Sequence, residues 1–217
     1  MRSNAAEAAA GPDVSPGNPC PFLRALVSAG TLADSFEPIS RVADKLVEVA
    51  QKGEGAPTLP RAGIYAIAVS ANGLSPSAMA RNARKGMQLD ALRHGPFDKE
   101  GAGSRILNAM GDIDKNELKR LGDFASEKTT SGGSKEIGLS LAELKVYMDA
   151  NFKRAEGRRR PVDRLLMNGE WPILLSVMGK ESAQGRYLSL AEVSDLFTKR
   201  LLPDRMRRQV TGFPTST

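Results

Sequence analysis

Only one of the 217 residues is a cysteine, Cys20. An internal disulfide is therefore excluded, and so is a zinc site built from four cysteines. One histidine, His94, excludes a histidine metal cluster and a bis-histidine haem site. Aromatic residues make up 5% of the chain, so a nucleic-acid surface of stacked rings has little to build on. No apolar run reaches the roughly 18 residues that a membrane-spanning helix needs. The stretch from Met1 to Gly17 is rich in Ala, Gly, Pro and Ser and lacks the apolar segment of an intact secretory signal. It reads as a flexible lead. An intracellular protein and a secreted one that has lost its signal both stay open.

What remains is ordinary globular composition, 41% hydrophobic and 26% charged, on a chain long enough for one domain with a sizeable core. The net charge is +6 and the isoelectric point about 9.6. The basic residues cluster late: Lys153, Arg154, Arg158, Arg159, Arg160 and Arg164, then Lys199, Arg200, Arg205, Arg207 and Arg208. One reading of these runs is a surface for nucleic acid or an acidic partner; the other is solvated helix faces.

Apolar periodicity reads almost entirely as helix. Ile39, Val42, Ala43, Leu46, Val49 and Ala50 recur at helical spacing before Gly53. The run Ala62–Val69 reads as a buried helix because of its Ala and Gly content. Ser75-Pro76 opens another, with Ser75 as cap, carrying Met79, Ala83, Met87 and Leu92 up to His94-Gly95-Pro96. Leu118, Leu121 and Phe124 predict a helix from about Asp114. The segment Asp112 to Asp123 echoes a calcium loop, but Glu117 stands where that loop needs glycine, so a helix start is the better account. Thr129 to Ser134 reads as a flexible loop. Ser140-Leu-Ala-Glu143 and Ser189-Leu-Ala-Glu192 read as capping boxes, and a further helix is expected near Pro161. No strand alternation stands out. The expectation is an all-α fold: a flexible lead over 1–17, a single compact multi-helix domain over 18–206, and a flexible tail over 207–217.

Cys20 lies in Asn18-Pro19-Cys20-Pro21-Phe22-Leu23. Pro19 holds Asn18 extended, and Pro21 suits the first turn of a helix whose apolar face is Phe22, Leu23, Leu26 and Val27. Cys20 is thus at a helix N-terminus, where free N–H groups and the positive end of the dipole favour a thiolate. A buried filler thiol, a nucleophile and a single-thiolate metal ligand are the open readings.

The Pro-Cys-Pro run and its helix resemble the fungal haem-thiolate peroxidases, the family of chloroperoxidase and the unspecific peroxygenases. Three later stretches follow the family's order. Glu100-Gly101-Ala102-Gly103-Ser104-Arg105 is similar to its cation-binding segment, with Ala102 where the family has Asp. Arg164-Leu-Leu-Met-Asn-Gly-Glu170-Trp171 is similar to its distal segment. Tyr187 through Pro203 is similar to its closing helix, with an Arg-Leu-Leu-Pro ending.

The resemblance implies a chloroperoxidase-like helical domain enclosing haem b, with Cys20 as the iron's axial ligand. It makes Glu170 the distal acid–base, with Arg164 assisting, and Glu100, Gly101 and Ser104 part of a magnesium site beside a haem propionate. Six residues separate Arg164 from Glu170, about 600° of helix or about 240° beyond one turn, so an unbroken helix sets them on different faces, whereas a helix loosened around Asn168 by Pro172 leaves Arg164 available. The implied activity uses hydrogen peroxide to oxidise or oxygenate a small organic substrate. A non-catalytic haem-binding protein and a haem-free helical protein with a basic binding face are the alternatives.

Overall fold

A computed structural model describes residues 13–53, 59–99, 103–157 and 159–207. Helix α1 spans Pro21–Ser28 and α2 spans Ile39–Ala50. Both bury one stripe: Leu23, Ala25, Leu26 and Val27 from α1, and Val42, Ala43, Val49 and Ala50 from α2. Helix α3 (Arg61–Ser70) packs along α2, and α4 (Pro76–Lys85) packs on α3. Ser75 caps α4 by accepting the Ala78 N–H at 3.2 Å. This helix stops at Gly86, short of the expected His94. Met87 leaves it for a short strand, because Gly86 turns the chain with φ +103.

Helix α5 (Lys115–Gly122) starts where expected, with the Asp114 carboxylate accepting the N–H groups of Asn116 and Glu117. Helix α6 (Leu141–Arg154) opens on the Ser140–Glu143 capping box. Helix α7 (Pro161–Met178) packs on α6 and runs unbroken through Pro172. Helices α8 (Leu190–Thr198) and α9 (Asp204–Arg207) close the described chain, with α8 against α1.

The all-α expectation is overturned: the protein is mixed α/β, about 51% helix and 12% strand. Strands β1 (Phe36–Glu37) and β2 (Met87–Gln88) pair antiparallel. Strands β3 (Ser126–Thr129), β4 (Lys135–Ser140) and β5 (Tyr187–Ser189) form an antiparallel sheet in that order. Its register sets Ser126 opposite Gly138, and Leu139 opposite Leu188. The stretch read as a loop at Thr129–Ser134 is therefore a hairpin connection. Two features hid the sheet. Its strands are too short to show period-two alternation, and β5 is recruited from far along the chain.

Tyr187–Ser189, read as the start of the closing helix, is this strand. Ser189 makes no side-chain cap on α8; its hydroxyl donates to Glu136 at 3.2 Å. Glu192 turns instead to Lys180, at 3.6 Å, and to Arg205. Ion pairing with distant segments thus replaces the second capping box. Within the lead over 1–17, Val14 lies in the core and the Ser15 N–H donates to Asp34 at 2.5 Å. Its first twelve residues, and the tail from Arg208, lie outside the described residues.

Candidate active site: a thiol and a carboxylate in one apolar cavity

The loop before α1 is fixed by polar bonds beneath it. The Asn18 side chain, fully buried, accepts the Cys20 N–H at 3.2 Å. Arg24, one helical turn on, is buried at 3% exposure, and among the described residues no carboxylate hydrogen-bonds to it. Its guanidinium donates to the carbonyls of Ser15 at 2.8 Å, Asn18 at 3.1 Å and Gly111 at 3.4 Å. Burial lowers the Arg24 pKa from its ordinary value, and backbone carbonyls satisfy a charge that is costly to bury. These bonds seat Cys20 at the N-terminus of α1, with extended backbone angles of φ −85 and ψ 113.

Cys20 faces a cavity of about 420 Å³. Its walls come from α1 (Phe22, Leu23), α2 (Val42, Leu46), α3 (Gly63, Ile64, Ile67, Ala68), α7 (Trp171, Ile173, Leu174, Val177), Met87 of β2 and Phe197 of α8, with Leu59 and Pro60 leading into α3. The sequence supplies this lining because α3 and the second half of α7 are apolar beyond one narrow stripe. Ile67 and Ile173, about half exposed, stand on facing helices at the cavity's edge.

Among the described residues two ionisable side chains line the cavity, Cys20 and Glu170. They come from opposite ends of the chain, and the fold brings them to one chamber. Glu170 is held by its neighbour. Trp171 is buried, and its ring meets Tyr147 of α6 edge-on at 5.5 Å; Tyr147 meets Phe124 in the same way at 5.3 Å. This stack anchors α7 against α6 next to Glu170.

Burial raises the Cys20 thiol above its ordinary value of 9.0. The Leu23 N–H at the start of α1 opposes that rise, the Glu170 carboxylate adds to it, and the Phe22 N–H and the Lys99 ammonium oppose it. The free protein thus holds a protonated thiol beside donors that suit its anion. A ligand that binds the thiolate must displace that proton.

Lys99 is the residue that sequence reading missed. Its ammonium forms an ion pair with the Glu170 carboxylate and is 14% exposed, against 42% for Glu170. No periodicity or motif signals it; the contact arises from a loop folding back on α7. Arg164, expected to assist Glu170, is turned away onto α6. It pairs with Asp149 at 2.5 Å, lies 5.3 Å from the Phe152 ring, and does not line the cavity. Pro172 does not open the helix: α7 stays helical between the two residues, which leaves Arg164 on a different face from Glu170.

Glu100 and Gly101 of the expected magnesium site lie outside the described residues. Ser104 is described: its hydroxyl accepts the Ile106 N–H at 3.4 Å and its carbonyl accepts from Arg154 at 3.5 Å. His94 occupies a turn with φ +60, and its N–H donates to Asp98 at 2.9 Å. Among the described residues no group of three or more His, Cys, Asp and Glu is placed to hold a bare metal ion. A single cysteine at a helix N-terminus, lining an apolar cavity, suits a metal that arrives already chelated by a flat, largely apolar macrocycle and displaces the thiol proton. The volume lies within the usual range for cofactor sites, about 300–1,000 Å³. Cys20 and these apolar walls are the described residues that would hold such a group.

Comparison with protein-family models, with curated proteins and with solved structures found no match.

Proposed function

We propose that the protein is a haem-thiolate peroxidase or peroxygenase that uses hydrogen peroxide to oxidise or oxygenate a small organic substrate. One observation carries the reading: Cys20 and Glu170, the residues its two most specific motifs single out, line the same apolar cavity. Cys20 would hold haem b through its sulfur, and the hydrocarbon walls would hold the macrocycle. Bound there, haem would supply the redox chemistry of peroxide cleavage, and a Cys20 thiolate would push electron density toward the iron.

The chain's own part is positioning and proton transfer. Glu170 takes the proton from one peroxide oxygen and returns it to the other, which leaves as water; the carboxylate ends as it began. Phe22, Ile64 and Leu174 present hydrocarbon to whatever enters.

The late basic runs fit a nucleic-acid face poorly, because much of their charge is neutralised within the fold. Arg154 pairs with Glu117 at 2.5 Å, Arg160 with Asp163 at 2.7 Å, Arg164 with Asp149, Lys199 with Asp195 at 2.8 Å, and Arg205 with Glu192. The magnesium reading stands on the resemblance alone, and no step is assigned to the ion.

Haem titration followed by absorption spectroscopy, then reduction and carbon monoxide, tests the proposal. The expected result is stoichiometric uptake with the red-shifted Soret band of thiolate-ligated iron, lost in Cys20→Ser. Glu170→Gln should keep the spectrum and slow the reaction with peroxide by about a hundredfold, the usual scale for losing a general base. No haem uptake by the wild-type protein would sink the reading. Uptake with unchanged peroxide kinetics in Glu170→Gln would remove Glu170 from the mechanism.

A further inference from the structure

We propose that Lys99 is the positioning residue for Glu170, holding its carboxylate at the cavity wall from a loop that is itself anchored to α7. The inference rests on the peroxide reading for its kinetic consequence, but the arrangement is built independently of any cofactor. Three observations carry it.

The Lys99 ammonium is paired with Glu170 and mostly shielded from solvent, although the carboxylate is partly exposed. An ion pair with one shielded partner is better held than one between two solvated side chains, which contributes little. The loop is also pinned next to Lys99. The Asp98 carbonyl accepts a hydrogen bond from Arg160, the residue that opens α7, and Arg160 is locked to Asp163 in the first turn of that helix. Asp98 uses its own carboxylate to accept the His94 N–H, which closes the turn behind it. The loop therefore meets α7 twice, at its first turn through Arg160 and Asp98, and further along through Lys99 and Glu170. Finally, Gly103 lies over the lysine stem: a Cβ there would stand 3.3 Å from Lys99 Cε, so the absence of a side chain leaves room for the stem to lie as it does.

Arg164 is committed to Asp149 on α6. Among the described residues, Lys99 is the cation that pairs with Glu170. Without it, an exposed carboxylate on a helix has several rotamers open to water, and one of them faces the cavity. Misplacing a proton-transfer group by about 1 Å costs up to about a hundredfold in rate.

The test uses Lys99→Met, Lys99→Arg and Glu170→Gln, alone and with Lys99→Met and Glu170→Gln combined. In haem-free protein, thermal denaturation of the four forms of this cycle reads the ion pair directly. The expected result is that Lys99→Met lowers the midpoint in the wild-type background and has no further effect once Glu170 is Gln. In haem-loaded protein, Lys99→Met should keep the wild-type spectrum and the KM for peroxide while kcat falls about tenfold. Lys99→Arg, which keeps the charge, should restore most of the rate. Additive midpoint shifts, or a wild-type kcat in Lys99→Met, would overturn the proposal. A protein that takes up no haem would defeat the functional reading, while the denaturation cycle would still decide whether Lys99 holds Glu170.

Discussion

Glu143 shows how much a single side chain can do in this fold. Burial alone would raise its pKa, yet bonds from Lys128 at 2.7 Å, Ser126 at 2.5 Å and the Ser140 N–H and hydroxyl, both at 2.6 Å, pull it from 4.5 to about 2. Folded Glu143 thus gives up its proton more readily than unfolded Glu143. Its stabilisation is fully present above pH 4.5 and is lost as pH falls toward 2. With the side chain 22% exposed, the contribution is about 2–3 kcal/mol. Urea unfolding at neutral pH and at pH 3 should show a steep acid loss in the wild-type protein and a shallower one in Glu143→Gln. Equal slopes would show that the network does not act through this carboxylate. The capping box that organises these contacts was legible from Ser140 and Glu143 alone. Lys128 and Ser126 were not, because β3 delivers them.

At the scale of elements, the turn between α4 and β2 shapes the cavity, since Met87 of β2 lines it. Gly86 has φ +103 and ψ 172, a region open to glycine and costly to other residues. A Cβ there would stand 2.3 Å from the Glu37 carbonyl oxygen, against backbone that has no side chain to move. Gly86→Ala is expected to cost about 1–3 kcal/mol, from strain, and to loosen the β1–β2 pair. Gly169 makes the contrast. It lies inside α7 with nothing within 4 Å of its missing Cβ, so Gly169→Ala should raise stability by about 1 kcal/mol. Chemical denaturation of both variants checks the opposite signs. The sequence pattern marked α1, α2, α5 and α6 well because each carries an amphipathic stripe or a cap. It overran α4, where helical spacing continues past a glycine whose backbone no helix accepts.

For the whole molecule, the cavity is the meeting point of α1, α2, α3, α7 and α8, so a ligand held there bridges elements from both ends of the chain. Haem binding should therefore stabilise the entire fold. At a free concentration a hundred times the dissociation constant the gain is about 2.7 kcal/mol. A scan of melting temperature against haem concentration should rise steadily in wild-type protein and much less in Cys20→Ser. A rise that is equal in both would place the haem elsewhere. The small three-stranded sheet takes no part in the cavity; it ties α6 to α8 through Leu139 and Leu188, both buried.

Local chemistry was readable in the sequence. Proline placement set Cys20 at a helix start, caps marked the beginnings of α4 and α6, and apolar spacing marked α5. These depend on neighbours within a turn or two, where backbone geometry leaves few choices. Pairings between distant segments were decided only by the tertiary structure: the sheet that replaced an all-α expectation, the diversion of Ser189 and Glu192 to Glu136 and Arg205, and the meeting of Lys99 with Glu170. Such contacts depend on how packed elements are oriented, and burial rewards them only once the intervening chain has closed its loops. The cavity belongs to both levels. Its apolar lining is written in α3 and α7, but its enclosure, with a thiol and a carboxylate inside it, exists only because five helices pack around the same space.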